Sequence, residues 1–360
     1  MPRRYKPLSC ALPPGVDHIA TMGAMRRVAC FGEMLVRLAA PHGQRLCGAA
    51  QLDLAVGGAE ANVAIALAHL GHASAMISVL PDNPLGELVL AELRRHAVDT
   101  AAVRLAGGRM GLYFLERGAG LRPARVLYDR QFSAFSLALR EPLPWEQLLA
   151  DCDWLHVSGI TAALSAEGAQ SVRTGVHVAR ARGMGVSFDC NYRPSLWQAR
   201  AAEAGALARE IAEQAQLLFA SEHDLALMLH GETPTTSGPE SFAAAAHEAL
   251  SRFARLRQVA STFRSESQTE THTLLGACVS PDGMFLSQRY ALRGTVERIG
   301  SGDAFAAGML HGTLSGSDAA RTVEFATACA CLKHSVATDF SVATVGEVEA
   351  LLRGDVALRR

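Results

Sequence analysis

Short apolar runs alternate with longer segments of helical period from Arg27 onward, and this rhythm constrains the fold of the chain more than any other feature. Runs of strand length cover 28–31, 75–80, 154–157, 186–189, 217–219, 258–261 and 275–279. Between them, segments such as 59–70, 166–182 and 303–314 have helical composition, and the first two stop at a glycine. Strands that alternate with helices form βαβ units. The sequence therefore predicts an α/β fold with a mainly parallel sheet flanked by helices on both faces.

We predict one α/β domain over residues 26–355, because 49% hydrophobic residues in a chain of 360 are ample for a large buried core. Residues 1–25, in which prolines are scattered among polar side chains, are interpreted as a loose extension. Two segments, about 37–56 and 107–131, break the rhythm with short alternating stretches bounded by glycines. Such stretches are typical of small antiparallel strands, and we expect them to form a β lid over the sheet.

The charge balance and the apolar pattern argue against two classes of partner. Lys and Arg number 34 against 35 for Asp and Glu, so the chain lacks the field that would hold nucleic acid. No apolar run reaches the roughly 18 residues that a helix needs to span a membrane. The cysteines include no Cys-x-x-Cys pair, and the first 25 residues lack the apolar run of a secretory signal. Together these features predict a cytoplasmic protein.

A first glycine segment, Gly57-Gly58-Ala-Glu-Ala-Asn62, runs straight into a predicted helix. Paired glycines before a helix let the backbone approach a ligand closely. Asn62 would add one hydrogen-bond donor and one acceptor. Taken alone, the segment is explained equally well by a tight turn followed by a helix.

A second segment, Gly300-Ser301-Gly302-Asp303, also precedes a predicted helix. Successive backbone amides in such a turn form a concavity that binds anions, and the helix dipole adds partial positive charge. Asp303 at this turn could accept the proton of a hydroxyl that attacks a bound phosphate. Taken alone, the segment is better explained by an Asp303 that caps the helix after a flexible turn.

Competing nucleotide and hydrolase motifs can be tested directly on the sequence. The chain contains no Gly-x-x-x-x-Gly-Lys-Ser/Thr string, which excludes a P-loop enzyme. Phe305 occupies the third glycine position of a dinucleotide fingerprint that would begin at Gly300, so a dehydrogenase is disfavoured. Neither His-Glu-x-x-His nor Gly-x-Ser-x-Gly is present, which leaves zinc peptidases and serine hydrolases without support.

Together, the two glycine segments resemble the signatures of the ribokinase-like (PfkB-type) carbohydrate kinases, which have a Gly-Gly-x-x-x-Asn helix near the N-terminus and a Gly-x-Gly-Asp helix near the C-terminus. Within this family the chain is most similar to kinases of 2-keto-3-deoxygluconate. The strings that carry this similarity are 189–197 (Asp-Cys-Asn-Tyr-Arg-Pro-Ser-Leu-Trp), 128–130 (Tyr-Asp-Arg) and 332–334 (Leu-Lys-His). The resemblance extends over about residues 28–352.

The resemblance implies a kinase that uses ATP and Mg²⁺ to phosphorylate the terminal C6 hydroxyl of 2-keto-3-deoxygluconate or a close sugar acid. Asp303 would be the general base, and Gly300, Ser301 and Gly302 would form the anion hole for the transferred phosphoryl group. The implied substrate-binding residues are Gly57, Gly58, Asn62, Tyr113, Tyr128, Arg130, Arg193 and Asp303. The implied nucleotide-binding residues are Ser221, Thr262, Arg264, Gly300, Gly302 and Lys333.

Two of these implications also have a physical argument. Arg193, with Arg130 and Tyr113 from the lid, is expected to grip the substrate's carboxylate, because a guanidinium offers bidentate and permanently charged donors. A structural salt bridge is the alternative for Arg193. The family's Asn-x-x-Glu motif, which organises magnesium-bound water, is replaced here by Ser221 and Asp224. Asp224 keeps the charge on a shorter stem, and we expect it to hold Mg²⁺ through water.

Two alternative functions stay open at this point. A kinase of a neutral sugar, such as fructose or ribose, would be indifferent to a carboxylate on its substrate. A non-catalytic sensor would bind a sugar or a nucleotide without turnover, although the intact segment 300–303 speaks against it. Because a lid of short strands has open edges that pair with other chains, we also expect a homo-oligomer.

Overall fold

The computed structural model describes residues 26–119, 122–232, 236–266 and 272–355, so the extension predicted over 1–25 lies outside the described residues. The strands are β1 (Arg27–Phe31), β2 (Leu35–Ala39), β3 (Asp53–Gly57), β4 (Ala73–Pro81), β5 (Val103–Ala106), β6 (Gly111–Glu116), β7 (Arg125–Asp129), β8 (Trp154–Ser158), β9 (Gly185–Asp189), β10 (Leu217–Phe219), β11 (Gln258–Glu266), β12 (His272–Ser280), β13 (Gly283–Leu286) and β14 (Tyr290–Leu292). The helices are α1 (Ala59–His69), α2 (Pro84–Arg95), α3 (Ala134–Ala138), α4 (Trp145–Leu148), α5 (Gly159–Leu164), α6 (Ala166–Ala181), α7 (Pro194–Trp197), α8 (Ala201–Ala212), α9 (Glu222–His230), α10 (Pro239–Arg252), α11 (Ser301–Leu314), α12 (Ala319–Lys333) and α13 (Val345–Leu352). Each strand and helix predicted from the apolar rhythm lies within, or within a few residues of, one of these elements.

Ten strands form the main sheet, in the order β13-β12-β11-β10-β9-β8-β1-β4-β5 with β14 beside β12. All pairs from β11 to β5 are parallel, whereas β12 pairs antiparallel with β11, β13 and β14. The chain builds the sheet outward in both directions from β1 and β8. A switch of direction of this kind leaves a crevice at the carboxyl ends of the strands, where ligands of open α/β sheets bind.

Helices cover both faces of the main sheet, which confirms the predicted fold class. Alternate residues of β1 show the two layers: Ala29 and Phe31 belong to one apolar core, and Val28 and Cys30 to the other. Phe31 is fully buried, and removing a side chain of this size from water contributes on the order of 2–3 kcal/mol to stability. Among the described helices, none is long and apolar enough to cross a membrane.

A second sheet of four strands, in the order β3-β2-β6-β7, is built from the two segments predicted as a lid. The outer pairs are antiparallel as expected, but β2 and β6 pair in parallel, which corrects the prediction of purely antiparallel strands. The reason lies in the connections: β2 follows β1 and β6 follows β5 after short turns, and β1 and β5 point the same way in the main sheet. Both lid strands therefore leave the same edge in the same direction.

Candidate active site

A cavity of about 800 Å³ lies at the carboxyl edge of the main sheet, between that edge and the lid sheet. The ends of β9, β10 and β11, the first turns of α1 and α11, and the strands β6 and β7 supply its walls. The predicted site residues that line it are Gly58, Asn62, Tyr113, Tyr128, Arg130, Arg193, Ser221, Asp224, Thr262, Arg264, Gly300, Ser301, Gly302 and Asp303. The cavity thus brings together all but two of the residues singled out from the sequence, the exceptions being Gly57 and Lys333.

The first turn of α11 has the geometry of an anion site. Gly300 caps the helix in the left-handed region, with φ of 80°, and a Cβ there would overlap the backbone carbonyl of Asp339, so the position requires glycine. Gly302 has open space where a side chain would stand. The first amides of a helix have no partner within it, and those of 301–303 belong to this turn. A phosphoryl group would be bound here by backbone donors and the helix dipole.

Asp303 stands on the same turn, and its carboxylate accepts a hydrogen bond of 2.6 Å from the Asn62 side-chain amide. Burial raises the pKa of Asp303 to about 8, and the nearby carboxylates of Asp189 and Glu60 act in the same direction, while the Asn62 hydrogen bond opposes them. A carboxylate of raised pKa is a better proton acceptor than an ordinary aspartate. Asn62 Oδ1 is buried without a hydrogen-bond partner among the described residues, which leaves an acceptor for a ligand hydroxyl.

Thr262 and Arg264, two of the residues predicted to bind the nucleotide, extend the cavity wall along β11. The Arg264 guanidinium donates to the hydroxyl of Ser301, which is itself almost fully buried in the first turn of α11. This contact holds a positive charge beside the anion site. It also gives the side chain of Ser301 a role that was not expected, since only its backbone amide was predicted to matter.

Arg193 follows β9 and is exposed to the cavity. No hydrogen bond or ion pair joins its side chain to the rest of the described chain, so the structural salt bridge considered for it is absent within that part. Arg193 acts electrostatically on Asp189. Burial and the charge of Asp224 raise the pKa of Asp189 to about 7, and Arg193 opposes this shift. A guanidinium without a partner in a ligand cavity is suited to pair with an anionic group on the ligand.

Arg130 also lines the cavity, but it is 7% exposed and already paired, which corrects the expectation that it grips the substrate freely. Its Nε and Nη2 lie 2.7 and 2.5 Å from a carboxylate oxygen of Glu33, and the Ser133 hydroxyl donates to the other oxygen. The guanidinium carbon stands 5.7 Å from the centre of the Tyr128 ring. Arg130 therefore holds the lid side of the cavity in shape, with one terminal nitrogen left for a ligand.

Tyr113 and Gly57 both meet Asp339. The Tyr113 hydroxyl donates to the Asp339 carboxylate, and burial raises the pKa of this tyrosine far above its ordinary value. Gly57 does not line the cavity; a Cβ there would overlap the same carboxylate, which explains why this residue is glycine. The predicted sugar contact of Gly57 is therefore corrected to a packing role, while Gly58 keeps its place at the cavity wall.

Lys333 is fully buried, with 0% of its surface exposed, and does not reach the cavity. Its Nζ donates to the Val336 carbonyl oxygen at 3.4 Å, and burial lowers the pKa of Lys333 to about 8 although Glu297 and Asp339 oppose that shift. The residue ends α12 on the side that packs into the protein, so its charge is directed at internal carboxylates. The structure therefore does not bring Lys333 to the cavity and gives no support to its predicted nucleotide contact.

Ser221 and Asp224 form a capping box at the start of α9. The Ser221 hydroxyl accepts from the Asp224 amide at 3.2 Å, and Asp224 Oδ2 accepts from the Ser221 amide at 2.7 Å. These contacts leave the other carboxylate oxygen of Asp224 without a hydrogen bond to the described residues, at the cavity wall. Within the described ranges no three His, Cys, Asp or Glu side chains are grouped to hold a metal ion. The donors fit Mg²⁺ bound chiefly by phosphates and water, with one carboxylate nearby.

Three buried carboxylates of the cavity were not among the predicted site residues, those of Glu33, Glu60 and Asp339. Glu60 accepts from the Ser158 hydroxyl at 2.5 Å, and burial raises its pKa. For two of these the signals were present, because Glu60 lies inside the first glycine segment and Glu33 comes two residues after the buried strand β1. A charged side chain just past a buried parallel strand is placed at the ligand edge of the sheet.

Comparison with known proteins gives concordant results. The model of the pfkB family carbohydrate kinases matches residues 25–262. The chain is 32% identical to the 2-dehydro-3-deoxygalactonokinase of Haloferax volcanii over 326 residues, which cover 90% of this chain and 96% of that one. It is 28% identical to the 2-dehydro-3-deoxygluconokinase of Thermoproteus tenax, over 88% and 90% of the two chains. The crystal structure of a 2-dehydro-3-deoxygluconokinase from Thermotoga maritima superposes with a TM-score of 0.85 and 36% identity, over 91% and 100%.

Proposed function

The chain belongs to the pfkB family of carbohydrate kinases, and on that premise we propose that it transfers the γ-phosphoryl group of ATP to the C6 hydroxyl of 2-keto-3-deoxygluconate or a close sugar acid. Similarity to kinases of 2-dehydro-3-deoxy sugar acids supports the class of substrate. The position of the transferred phosphoryl group and the identity of the base rest on the cavity itself.

The observation that carries the proposal is the placement of base and anion site on one rigid element. Asp303 and the amides of 301–303 share the first turn of α11, and Asn62 from α1 fixes the carboxylate. A hydroxyl held beside Asp303 therefore faces a phosphoryl group bound by the same turn. Phosphoryl transfer depends above all on such positioning and on stabilisation of developing charge.

The proposed reaction moves one proton and one phosphoryl group. Asp303 accepts the proton of the C6 hydroxyl as the oxygen forms a bond to the γ-phosphorus, and the bond from that phosphorus to the β-phosphate oxygen breaks to leave ADP. The amides at the start of α11 and the Arg264 guanidinium stabilise the charge on the transferred group. When bound, Mg²⁺ would neutralise phosphate charge, with Asp224 placed to hold one of its waters.

On the sugar side, Arg193 is proposed to bind the substrate's carboxylate. It is a cavity-lining arginine that has no ion pair within the described chain, and a neutral sugar would leave its charge uncompensated. Arg130 and Tyr128 complete the wall from the lid side. We expect the paired Arg130 to contribute shape and one donor, and Arg193 to select for an acid.

ADP release from MgATP tests the proposal, with 2-keto-3-deoxygluconate, its galactonate epimer, fructose, ribose and no sugar as acceptors. We expect fast turnover with the keto-deoxy acids alone. Asp303→Asn should lower kcat by at least about a thousandfold while the protein still binds the acid, because loss of general base catalysis and of a fixed charge costs this much. Asp82→Asn, at an exposed carboxylate after β4, is the matched control.

The alternatives appear as distinct outcomes of the same experiment. Turnover with fructose or ribose equal to that with the acids would favour a neutral-sugar kinase. Binding of acid and nucleotide without ADP release would favour a sensor. Near-normal turnover of Asp303→Asn would remove Asp303 from the role of base.

We also propose that the chain forms a homo-oligomer through the outer face of the lid. In strand register, Leu54, Leu38, Phe114 and Leu127 form one cross-strand row, which we call the outer row. Neighbouring residues in the same strands line the cavity, so the outer row points the opposite way. Leu54 and Leu127 are 49% and 63% exposed, an arrangement that burial against a second copy would relieve.

A further inference from the structure

The buried carboxylate of Glu297 lies between the lid sheet and the anion site. Glu297 is 7% exposed, does not line the cavity, and comes three residues before Gly300 in the chain. Its two oxygens face different parts of the protein. One is directed at the lid and the other at the backbone that leads into α11.

On the lid side, Glu297 Oε2 faces two arginines. Arg37 Nη1, from β2, and Arg117 Nε, one residue beyond β6, each stand 3.5 Å from it. Both arginines are held in place by other contacts. Arg37 binds the Asp339 carboxylate, and Arg117 Nη1 donates to the Ala40 carbonyl oxygen at 2.8 Å. The position of this carboxylate therefore depends on the positions of β2 and β6, the two central strands of the lid.

On the other side, Glu297 Oε1 fixes the segment that precedes the anion site. It accepts from the amide of Arg298 at 2.9 Å and from that of Ile299 at 3.3 Å. The next residue is Gly300, whose left-handed conformation starts α11. A shift of this carboxylate would be transmitted through two peptide units to the amides that bind the phosphoryl group.

The distances of 3.5 Å from Glu297 Oε2 to the two arginines are longer than those of hydrogen-bonded ion pairs. Glu297 Oε2 is buried without a hydrogen-bond partner among the described residues, although two guanidinium groups stand near it. Charge-assisted hydrogen bonds are shorter, about 2.7–2.9 Å. A movement of the lid by less than about 1 Å would convert both ion pairs into such bonds, and a buried carboxylate oxygen without a hydrogen bond is stabilised by that change.

We propose that Glu297 is a positioning residue that couples closure of the lid over the sugar acid to the geometry of the anion site. The inference rests on the proposed function. A sugar acid that draws the lid inward brings Arg37 and Arg117 towards Oε2, and Oε1 of the same carboxylate then holds the amides before Gly300 in the form that binds phosphate. The sugar acid and the nucleotide thereby strengthen each other's binding.

Calorimetric titration measures this coupling without turnover. The dissociation constant of a non-hydrolysable ATP analogue with Mg²⁺ is determined with and without saturating 2-keto-3-deoxygluconate, and the reverse titration must give the same factor. In the unaltered protein we expect a factor of at least about five, the lower end of common coupling energies. In Glu297→Gln we expect a factor below about two, with each ligand alone binding as before. The glutamine keeps an oxygen for the two amides and loses the charge that attracts the arginines.

Two further variants separate coupling from a general loss of structure. Glu116→Gln alters another buried lid carboxylate, which accepts from the Leu46 amide at 2.9 Å and does not contact the anion-site segment, so it should keep the full factor. Arg117→Gln weakens the link from the lid side, and we expect it to lower the coupling factor. It tests the proposal even where Glu297→Gln does not fold.

Three results would overturn the inference. They are a full coupling factor in both Glu297→Gln and Arg117→Gln, an equal loss in Glu116→Gln, or the absence of coupling in an unaltered protein that phosphorylates the acid. An unaltered protein that binds no sugar acid would instead overturn the proposed function.

Discussion

The arginines of the cavity differ in role because their surroundings differ. Arg130 is neutralised by Glu33, and Arg264 donates to Ser301 beside the anion site. Arg193 has no ion pair with the rest of the described chain. All three were expected to contact ligands. The sequence does not reveal that Arg130 binds Glu33, because the two residues are 97 positions apart in the chain. The pairing, and not the residue type, decides which guanidinium is available to a carboxylate.

Substitution of Arg193 tests that distinction. For Arg193→Met we expect KM for 2-keto-3-deoxygluconate to rise about 30- to 100-fold with a much smaller change in kcat, because a charge-assisted contact made equally before and during the reaction is worth about 2–3 kcal/mol. Initial-rate kinetics over a range of acid concentrations measure both constants. Arg104→Met, at an exposed arginine of β5, should leave them unchanged. An unaltered KM in Arg193→Met would contradict the carboxylate contact.

The raised pKa of Asp303 predicts how the reaction depends on pH. Because burial raises its pKa to about 8, most of the carboxyl is protonated in the free enzyme at pH 7, and only the deprotonated form accepts the substrate proton. We expect kcat/KM to rise about tenfold per pH unit below pH 8 and to level off above it. Asp189→Asn removes a neighbouring like charge and should shift the rise to lower pH. A profile that is flat between pH 6 and 9 would refute the assignment.

At the scale of elements, the sequence predicted the seven core strands and three helices because each is marked by its own apolar pattern. Strands without such a pattern were missed: β5 is half-exposed, and β13 and β14 are three to four residues long. The parallel pairing of β2 with β6 depends on strands more than 70 residues apart, and no local pattern reports it. The site residues were likewise found where a local pattern marks them, and missed where contacts between distant residues decide. The glycine turns are local and were found, whereas the burial of Lys333 and the contacts of Glu297 follow from packing.

A pair of histidines joins α1 to α11, two helices whose buried side chains belong to the same apolar core as Val28 and Cys30. His72, after α1, lies 2.9 Å from His311 of α11 through their ring nitrogens, and the His311 ring stacks on Phe325 of α12. Burial lowers the pKa of His311 to about 4 and lowers that of His72 as well. Their neutral forms are favoured in the folded protein. The contribution of these neutral histidines to the free energy of unfolding is fully present above the unfolded pKa of about 6.5. It is lost as the pH falls from there towards 4.

We therefore expect the free energy of unfolding of His311→Leu to change, between pH 7.5 and 5.5, by about 1 kcal/mol in the stabilising direction relative to the change in the unaltered protein. The leucine removes the group that must be protonated and keeps an apolar contact with Phe325. Free energies of urea unfolding at the two pH values measure the effect. His177→Gln, at an exposed histidine of α6, should show the same change with pH as the unaltered protein. An equal change in all three proteins would contradict the role of His311.

At the scale of the whole molecule, the lid sheet has two faces with opposite demands. One face presents Tyr113 and Tyr128 to the cavity, and the other presents the outer row. An exposed apolar row is costly to leave in water, and a strand such as β7, exposed along its length, gains hydrogen-bond partners from a second chain. Association through this face would leave the cavity side of the lid unaltered.

Sedimentation analysis tests that arrangement. We expect the unaltered protein to have a mass that is a multiple of 38.2 kDa, and Leu127→Glu, which places a charge in the outer row, to have a mass of 38.2 kDa. The reason is that a carboxylate buried in an apolar interface loses its hydration without a partner. Leu286→Glu, at a leucine that is 50% exposed on β13 of the main sheet, should keep the mass of the unaltered protein. An unaltered protein that sediments as a monomer would refute the association, and an unchanged mass in Leu127→Glu would move the interface away from the lid. Since Leu127 points away from the cavity, a folded Leu127→Glu monomer also reports whether a single chain carries a complete site.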